Sequence, residues 1–240
     1  MKNGEKPVVV KIGGELLEEK YVDGTAGDCA KLAAVKPLVI VHGGGKQLNR
    51  EATASKEFFN GLRVTDLQTI ALAQQVFLGP TKTRLMLALL KAGCKPVGLS
   101  GRDNAFVKCT KIESLGFVGK VESVDSAFLR LFLSNGFTPV VTPLGIAGSA
   151  LVNVNADELA ASIANALNAS LVFLTPTGGV LVNGIVARSV SANQADELVK
   201  KGMVSGGMIP KLLNGIAAAK SGLKVSISEN LFEAGTEVKA

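Results

Sequence analysis

Two short β-branched runs, each breaking off into a cluster of glycines, constrain this chain more than any other feature. Pro7-Val8-Val9-Val10-Lys11-Ile12 stops at Gly13-Gly14, and Pro37-Leu38-Val39-Ile40-Val41 stops at His42-Gly43-Gly44-Gly45. Apolar runs of this length bounded by glycine read as buried strands. Further runs stand at Lys95-Pro96-Val97-Gly98-Leu99, Thr138-Pro139-Val140-Val141-Thr142, Ser170-Leu171-Val172-Phe173-Leu174 and Leu223-Lys224-Val225-Ser226-Ile227. Helical patterns fill the spaces between them. Residues 46–59 are expected to form a helix, and Asp66 to cap the next, which runs through residues 71–77 and, past Gly79-Pro80, residues 81–93. This alternation predicts an α/β fold, a three-layer αβα sandwich with a central, mainly parallel sheet. Residues 103–124 break the rhythm with short alternating stretches around Gly116 and Gly119, which suits a hairpin. Such a hairpin is either a lid over a site or a decoration on the sheet edge.

The aliphatic bias agrees with strands covered on both faces: 47% of residues are hydrophobic, yet only 5% are aromatic and Trp is absent. The 240 residues suffice for one large domain or two closely packed lobes. The net charge of +6 comes from scattered lysines without a dense basic block, so no nucleic-acid partner is expected. Cys29, Cys94 and Cys109 lie far apart, and the single His42 cannot complete a metal site with them. They read as free thiols in a reducing compartment, with no protein-held metal. No stretch reaches the roughly 18 apolar residues needed to span a bilayer. The apolar run near the N-terminus is too short for a signal peptide, so a cytoplasmic protein is expected.

Ligands of open α/β sheets sit beyond the carboxyl ends of the strands, where both glycine clusters fall. Glycine lets a backbone approach phosphate closely and aim N–H groups at it. The sequence holds neither GxxxxGK[ST] nor GxGxxG after the first strand, so any phosphate cradle is of another kind. In Val152-Asn153-Val154-Asn155-Ala156-Asp157-Glu158, an extended backbone puts Asn153 and Asn155 on one face. Asn155 suits an N-cap, with Glu158 three residues on as in a capping box. Gly206-Gly207-Met208-Ile209-Pro210-Lys211 places a lysine at a helix start, where the dipole disfavours it unless an anion binds there.

These segments, with Asn60-Gly61-Leu62-Arg63-Val64-Thr65, occur in an order that resembles the amino acid kinase family, and most closely its branch acting on N-acetyl-L-glutamate. The resemblance runs over nearly the whole chain. It implies an N-terminal lobe, residues 1–168, for the acyl substrate and dimerisation, and a C-terminal lobe, residues 169–240, for ATP. Lys11 and Lys211 would grip the phosphoryl group in transfer, with Asp157 holding both ammonium groups. Gly13, Gly14, Gly44 and Gly45 would bind phosphate through backbone N–H groups. Arg63, Asn153 and Asn155, beside Gly44 and Gly45, would hold the acyl substrate. Thr175, Gly178, Gly207 and Met208 would meet the nucleotide, and ATP would bring Mg²⁺.

The chain also departs from the resembled enzymes. Pro176 stands where they commonly carry Asp, which puts the adenosine contacts in question. The tail after Ile227 is short, and the N-terminal helix that accompanies arginine-inhibited hexamers is absent. A homodimer insensitive to arginine is therefore expected. The alternatives are a kinase for another N-acylated amino acid, such as N-succinylglutamate or an aminoadipate derivative, a uridylate kinase, or a non-catalytic sensor on the same fold.

Overall fold

The computed structural model describes residues 5–240. Residues 1–4, which open the stretch read above for a leader, lie outside the described residues. The first half runs β1 (Val8–Ile12), α1 (Glu19–Val35), β2 (Leu38–His42), α2 (Gly45–Leu48), β3 (Phe58–Phe59), β4 (Leu62–Arg63), α3 (Leu67–Val76), α4 (Lys82–Lys91) and β5 (Pro96–Ser100). There follow β6 (Val107–Lys111), β7 (Val118–Val124), α5 (Ser126–Ser134), β8 (Thr138–Thr142), β9 (Leu144–Ala147), β10 (Ala150–Val154) and α6 (Ala156–Leu167). The chain ends with β11 (Ser170–Leu174), β12 (Leu181–Val182), β13 (Ile185–Val186), β14 (Ser189–Val190), α7 (Ala192–Lys200), α8 (Met208–Lys220), β15 (Val225–Ser228) and β16 (Thr236–Val238).

Eight strands form one sheet in the order β14-β16-β15-β11-β1-β2-β8-β5. The run from β15 to β5 is parallel throughout, and only β16 with its partner β14 points the other way. All six apolar runs recognised in the sequence are strands of this sheet. β1 lies at its centre, and side chains alternate between its faces. Val8, Val10 and Ile12 pack with Leu17, Val22 and Cys29 around α1 and with Leu85 and Leu89 of α4. Val9 faces the opposite way, towards Leu159, Ile163 and Ala164 of α6 and Leu212 and Ile216 of α8. Period two puts Lys11 on that second face, beneath the helices that carry Asp157 and Lys211.

Asp66 caps α3 as expected, its carboxylate accepting from the Thr69 amide at 2.7 Å. The helical path then breaks at Gly79 before α4 begins.

Residues 46–59 are not a helix. Only the single turn α2 forms, and the segment ends in the β3–β4 hairpin. The overriding signal is Asn60-Gly61, whose φ angles of +49° and +79° make the two-residue turn that favours a hairpin. The expected hairpin of residues 103–124 does form, between antiparallel β6 and β7. It is neither a lid nor an edge decoration, because β9 and β10 close it into a four-stranded barrel. Small residues allow that tight closure: a Cβ at Gly119 would press on Val152 and Cys109.

Asn155 caps α6, accepting from the amides of Asp157 at 2.8 Å and Glu158 at 3.1 Å. The capping box does not close. Glu158 instead accepts from the Val121 amide at 2.8 Å, tying α6 to the barrel. Burial raises the Glu158 pKa, and the Val121 bond opposes that shift.

Candidate active site

Strand register sets the floor of the site. Ile12 lies level with His42 on one side and Leu174 on the other, so three loops leave the sheet together. They begin at Gly13, Gly43 and Thr175. The Gly43 amide donates to the Ile12 carbonyl at 2.8 Å, which draws the two glycine turns against each other. Gly44 must lack a side chain, because a Cβ there would run into the Phe77 ring. His42 lies beneath this floor, wholly buried. Its Nδ1–H donates to the Gly43 carbonyl at 2.9 Å, so Nε2 accepts from the Thr142 hydroxyl at 2.9 Å. Burial pushes its pKa down to about 4, and His42 is a neutral brace rather than an acid or base.

Above the floor stand three charges. Lys11 Nζ lies 3.0 Å from Asp157 Oδ1, and Lys211 Nζ lies 3.7 Å from Asp157 Oδ2. Asp157 reaches them from the first turn of α6, and Lys211 from the first turn of α8, where it also donates to the Gly207 carbonyl at 2.9 Å. Asp157 and Lys11 are about 5% exposed. Burial, helped by the neighbouring Lys11 ammonium, pushes the Lys211 pKa down to about 8 against the opposing pull of Asp157. Two ammonium groups share one carboxylate, leaving the trio with a surplus positive charge facing the cavity.

The acyl side is built from β4 and β10. Arg63 is buried, donates to the Ser55 carbonyl and to Asn49 Oδ1, and lies over the Phe58 ring with 4.5 Å to its centroid. Asn153 donates through Nδ2 to Thr65 Oγ1 at 3.3 Å, and that hydroxyl donates to the Arg63 carbonyl at 2.9 Å. Thr65 thus links the two residues expected to hold substrate. The Asn155 side-chain oxygen is engaged in capping, leaving its Nδ2 amide as the donor for a ligand.

On the opposite side, Thr175, Pro176, Thr177, Ser205, Gly207 and Met208 border the same space. Together with Lys11, Gly13, Gly14, Gly44, Gly45, Arg63, Asn153, Asn155, Asp157 and Lys211, they line one open cavity of about 490 Å³. Gly178 does not line it. At φ +74° it serves a turn beside Val186. The cavity also includes Glu15, Lys46 and Phe77, which sequence reasoning left out. For Lys46 a signal was present, since it directly follows the triple glycine.

The family model described as the amino acid kinase family matches residues 6–228. An acetylglutamate kinase from Roseiflexus sp. (strain RS-1) is 36% identical, the alignment covering 96% of this chain and 92% of that one. An acetylglutamate kinase from Chloroflexus aurantiacus is 39% identical over 89% of this chain and 88% of its own length. A crystal structure of a Streptococcus mutans UA159 protein superposes with a TM-score of 0.88 at 30% identity, covering 98% of both chains.

Proposed function

The chain belongs to the amino acid kinase family, and from that premise we propose that it transfers the γ-phosphate of ATP to the γ-carboxylate of N-acetyl-L-glutamate, a step of arginine biosynthesis. The observation that carries this reading is the convergence of Lys11 and Lys211 on Asp157 at the mouths of two glycine turns. The acetylglutamate kinase relatives support the choice of acceptor.

A glutamate carboxylate is ionised at neutral pH, with a reference pKa of ~4.3. It needs no general base, which agrees with a His42 locked in the core. The obstacle is two anions meeting, and the answer is positioning with fixed positive charge. Lys11 and Lys211 hold the phosphoryl oxygens from two sides. Asp157 keeps both ammonium groups in place despite their repulsion, and the N–H groups of the glycine turns complete the cradle. Removing one such pre-aimed donor typically costs about 10²–10³ in kcat. Arg63 binds the acceptor's free carboxylate, and Asn153 with Asn155 reads its amide.

Residues 1–168 hold the acyl substrate and residues 169–240 the nucleotide, with Thr175, Gly207 and Met208 at the base-proximal side. Among the described residues no three His, Cys, Asp or Glu side chains converge as a metal site. Mg²⁺ would arrive with ATP and be carried mainly by the nucleotide phosphates, as this ion prefers. It would supply charge neutralisation at those phosphates. The same analogy makes the protein a cytoplasmic homodimer. Exposed Leu87 and Leu90 on α4 support a covered face there, and light scattering that returned a hexamer would contradict it. Among the described residues no helix is long and apolar enough to cross a membrane.

The test is Mg-ATP turnover with hydroxylamine present, which traps an acyl phosphate as hydroxamate. N-acetyl-L-glutamate is compared with N-succinyl-L-glutamate, L-glutamate and UMP. Signal with the succinyl compound alone would move the acceptor and keep the chemistry; ADP release with UMP would replace the reading.

A further inference from the structure

Lys46 and Glu15 line the cavity without a part in the scheme above. Each follows a glycine of one of the two turns, Glu15 after Gly14 and Lys46 after Gly45. Their side chains meet at 3.8 Å, each about half exposed at 47%. A pair that long and that open contributes little to stability. It is readily exchanged for a stronger partner.

The backbone beneath this pair is fixed. Gln47, next to Lys46, is buried and donates from Nε2 to the Gly14 carbonyl at 2.7 Å and to Glu18 Oε1 at 2.8 Å. Arg50 grips the other Glu18 oxygen at 2.8 Å. One amide therefore clamps the first glycine turn onto the second. An added Cβ on Gly14 would lie 3.4 Å from Lys46 Cβ and 3.5 Å from the Lys46 backbone nitrogen. The Lys46 stem is thus held against the Gly14 turn while its half-exposed ammonium stays at the open cavity, beside Glu15.

We infer that Lys46 is a third phosphate-binding cation of this site, held in reserve by Glu15 and transferred to the nucleotide's phosphate chain on binding. The inference rests on the kinase reading and adds a residue and an exchange to it. Its logic is one of charge. The buried trio of Lys11, Asp157 and Lys211 carries a single surplus positive charge, far less than a triphosphate and a carboxylate bring. Lys46 adds a second once Glu15 releases it. The freed Glu15 turns to solvent, at little cost for a side chain already half exposed.

Calorimetric titration with Mg-AMP-PNP, and separately with N-acetyl-L-glutamate, tests this on the wild type, Lys46→Ala, Lys46→Arg and Glu15→Gln. Lys46→Ala is expected to weaken nucleotide binding about tenfold, equal to ~1.4 kcal/mol, and to leave acyl-substrate binding within about twofold. Lys46→Arg should restore most of the loss. Glu15→Gln should tighten nucleotide binding a few-fold, because the reserve contact no longer competes. Unchanged nucleotide affinity in Lys46→Ala overturns the inference, as does a loss confined to the acyl substrate. If the wild type forms hydroxamate and these outcomes fail, only the role of Lys46 falls. If the wild type binds no nucleotide, the kinase reading falls with it.

Discussion

Lys11 at the carboxyl end of the central strand and Asp157 at the start of α6 form an ion pair of 3.0 Å with both side chains buried. Strand alternation puts the lysine on the α6 face, and the Asn155 cap starts the helix so that Asp157 falls in its first turn. The same carboxylate is the partner of Lys211, so it holds two cations against their repulsion. Asp157→Asn should therefore lower kcat at least about 100-fold. It should also destabilise the fold by roughly 3–5 kcal/mol, the usual cost of stripping one partner from a buried pair. Steady-state kinetics beside urea melts read both effects.

Lys211 sets an alkaline limit. Its pKa is pushed down to about 8 in the free protein, below the ordinary value of 10.5. The ammonium is the working form, so kcat/KM should decline as pH rises through about 8. Bound phosphates favour the charged form and should move the corresponding limb of kcat to higher pH. For stability the sign is the reverse: Lys211 weakens the fold below about pH 8, and that cost fades as pH climbs towards 10.5. Lys211→Arg, which stays protonated, should erase the limb in a pH profile of kcat/KM.

His42 contributes an acid limit to stability. Its pKa is about 4 when folded and near 6.5 in the unfolded chain. Its stabilising contribution is complete above pH 6.5 and is lost as pH falls through 4, about 3 kcal/mol in all. Urea melts from pH 7 to pH 4 should show this loss, and His42→Gln should show a markedly smaller one.

Gly44 and Phe77 are coupled by space. Gly44→Ala should destabilise the protein by about 1–3 kcal/mol and weaken nucleotide binding, since its methyl group would meet the ring. Phe77→Leu in the same chain should recover part of both losses, giving a coupling of at least ~0.5 kcal/mol in a double-mutant cycle.

Much of this was legible in the sequence because it is local. Six apolar runs are strands of one sheet, Asp66 and Asn155 cap the helices expected of them, and the two glycine clusters at 13–14 and 43–45 sit at strand ends. The misreadings come where an adjoining turn or a distant segment overrides the local pattern. Residues 46–59 looked helical, but Asn60-Gly61 turns the chain into a hairpin that brings Phe58 under Arg63. Glu158 looked like half of a capping box, yet β7 supplies a better-placed donor in the Val121 amide. No local pattern reveals that β9 and β10 close the 103–124 hairpin into a barrel. Gly178 shares a motif-like stretch with Thr175, but its left-handed turn carries it away from the cavity. Lys46 carries a sequence signal in directly following the triple glycine, but its place beside Gly14 and Glu15 is set by the fold.

The most direct measurement is hydroxamate formation from Mg-ATP and N-acetyl-L-glutamate at saturating substrate, wild type against Lys11→Ala and Lys211→Ala. The account predicts robust formation by the wild type and a fall in kcat of at least about 100-fold in either variant, with KM values changed far less. Hydroxamate formed by either variant at the wild-type rate would remove that lysine from the chemistry, and none from the wild type would contradict the proposed reaction.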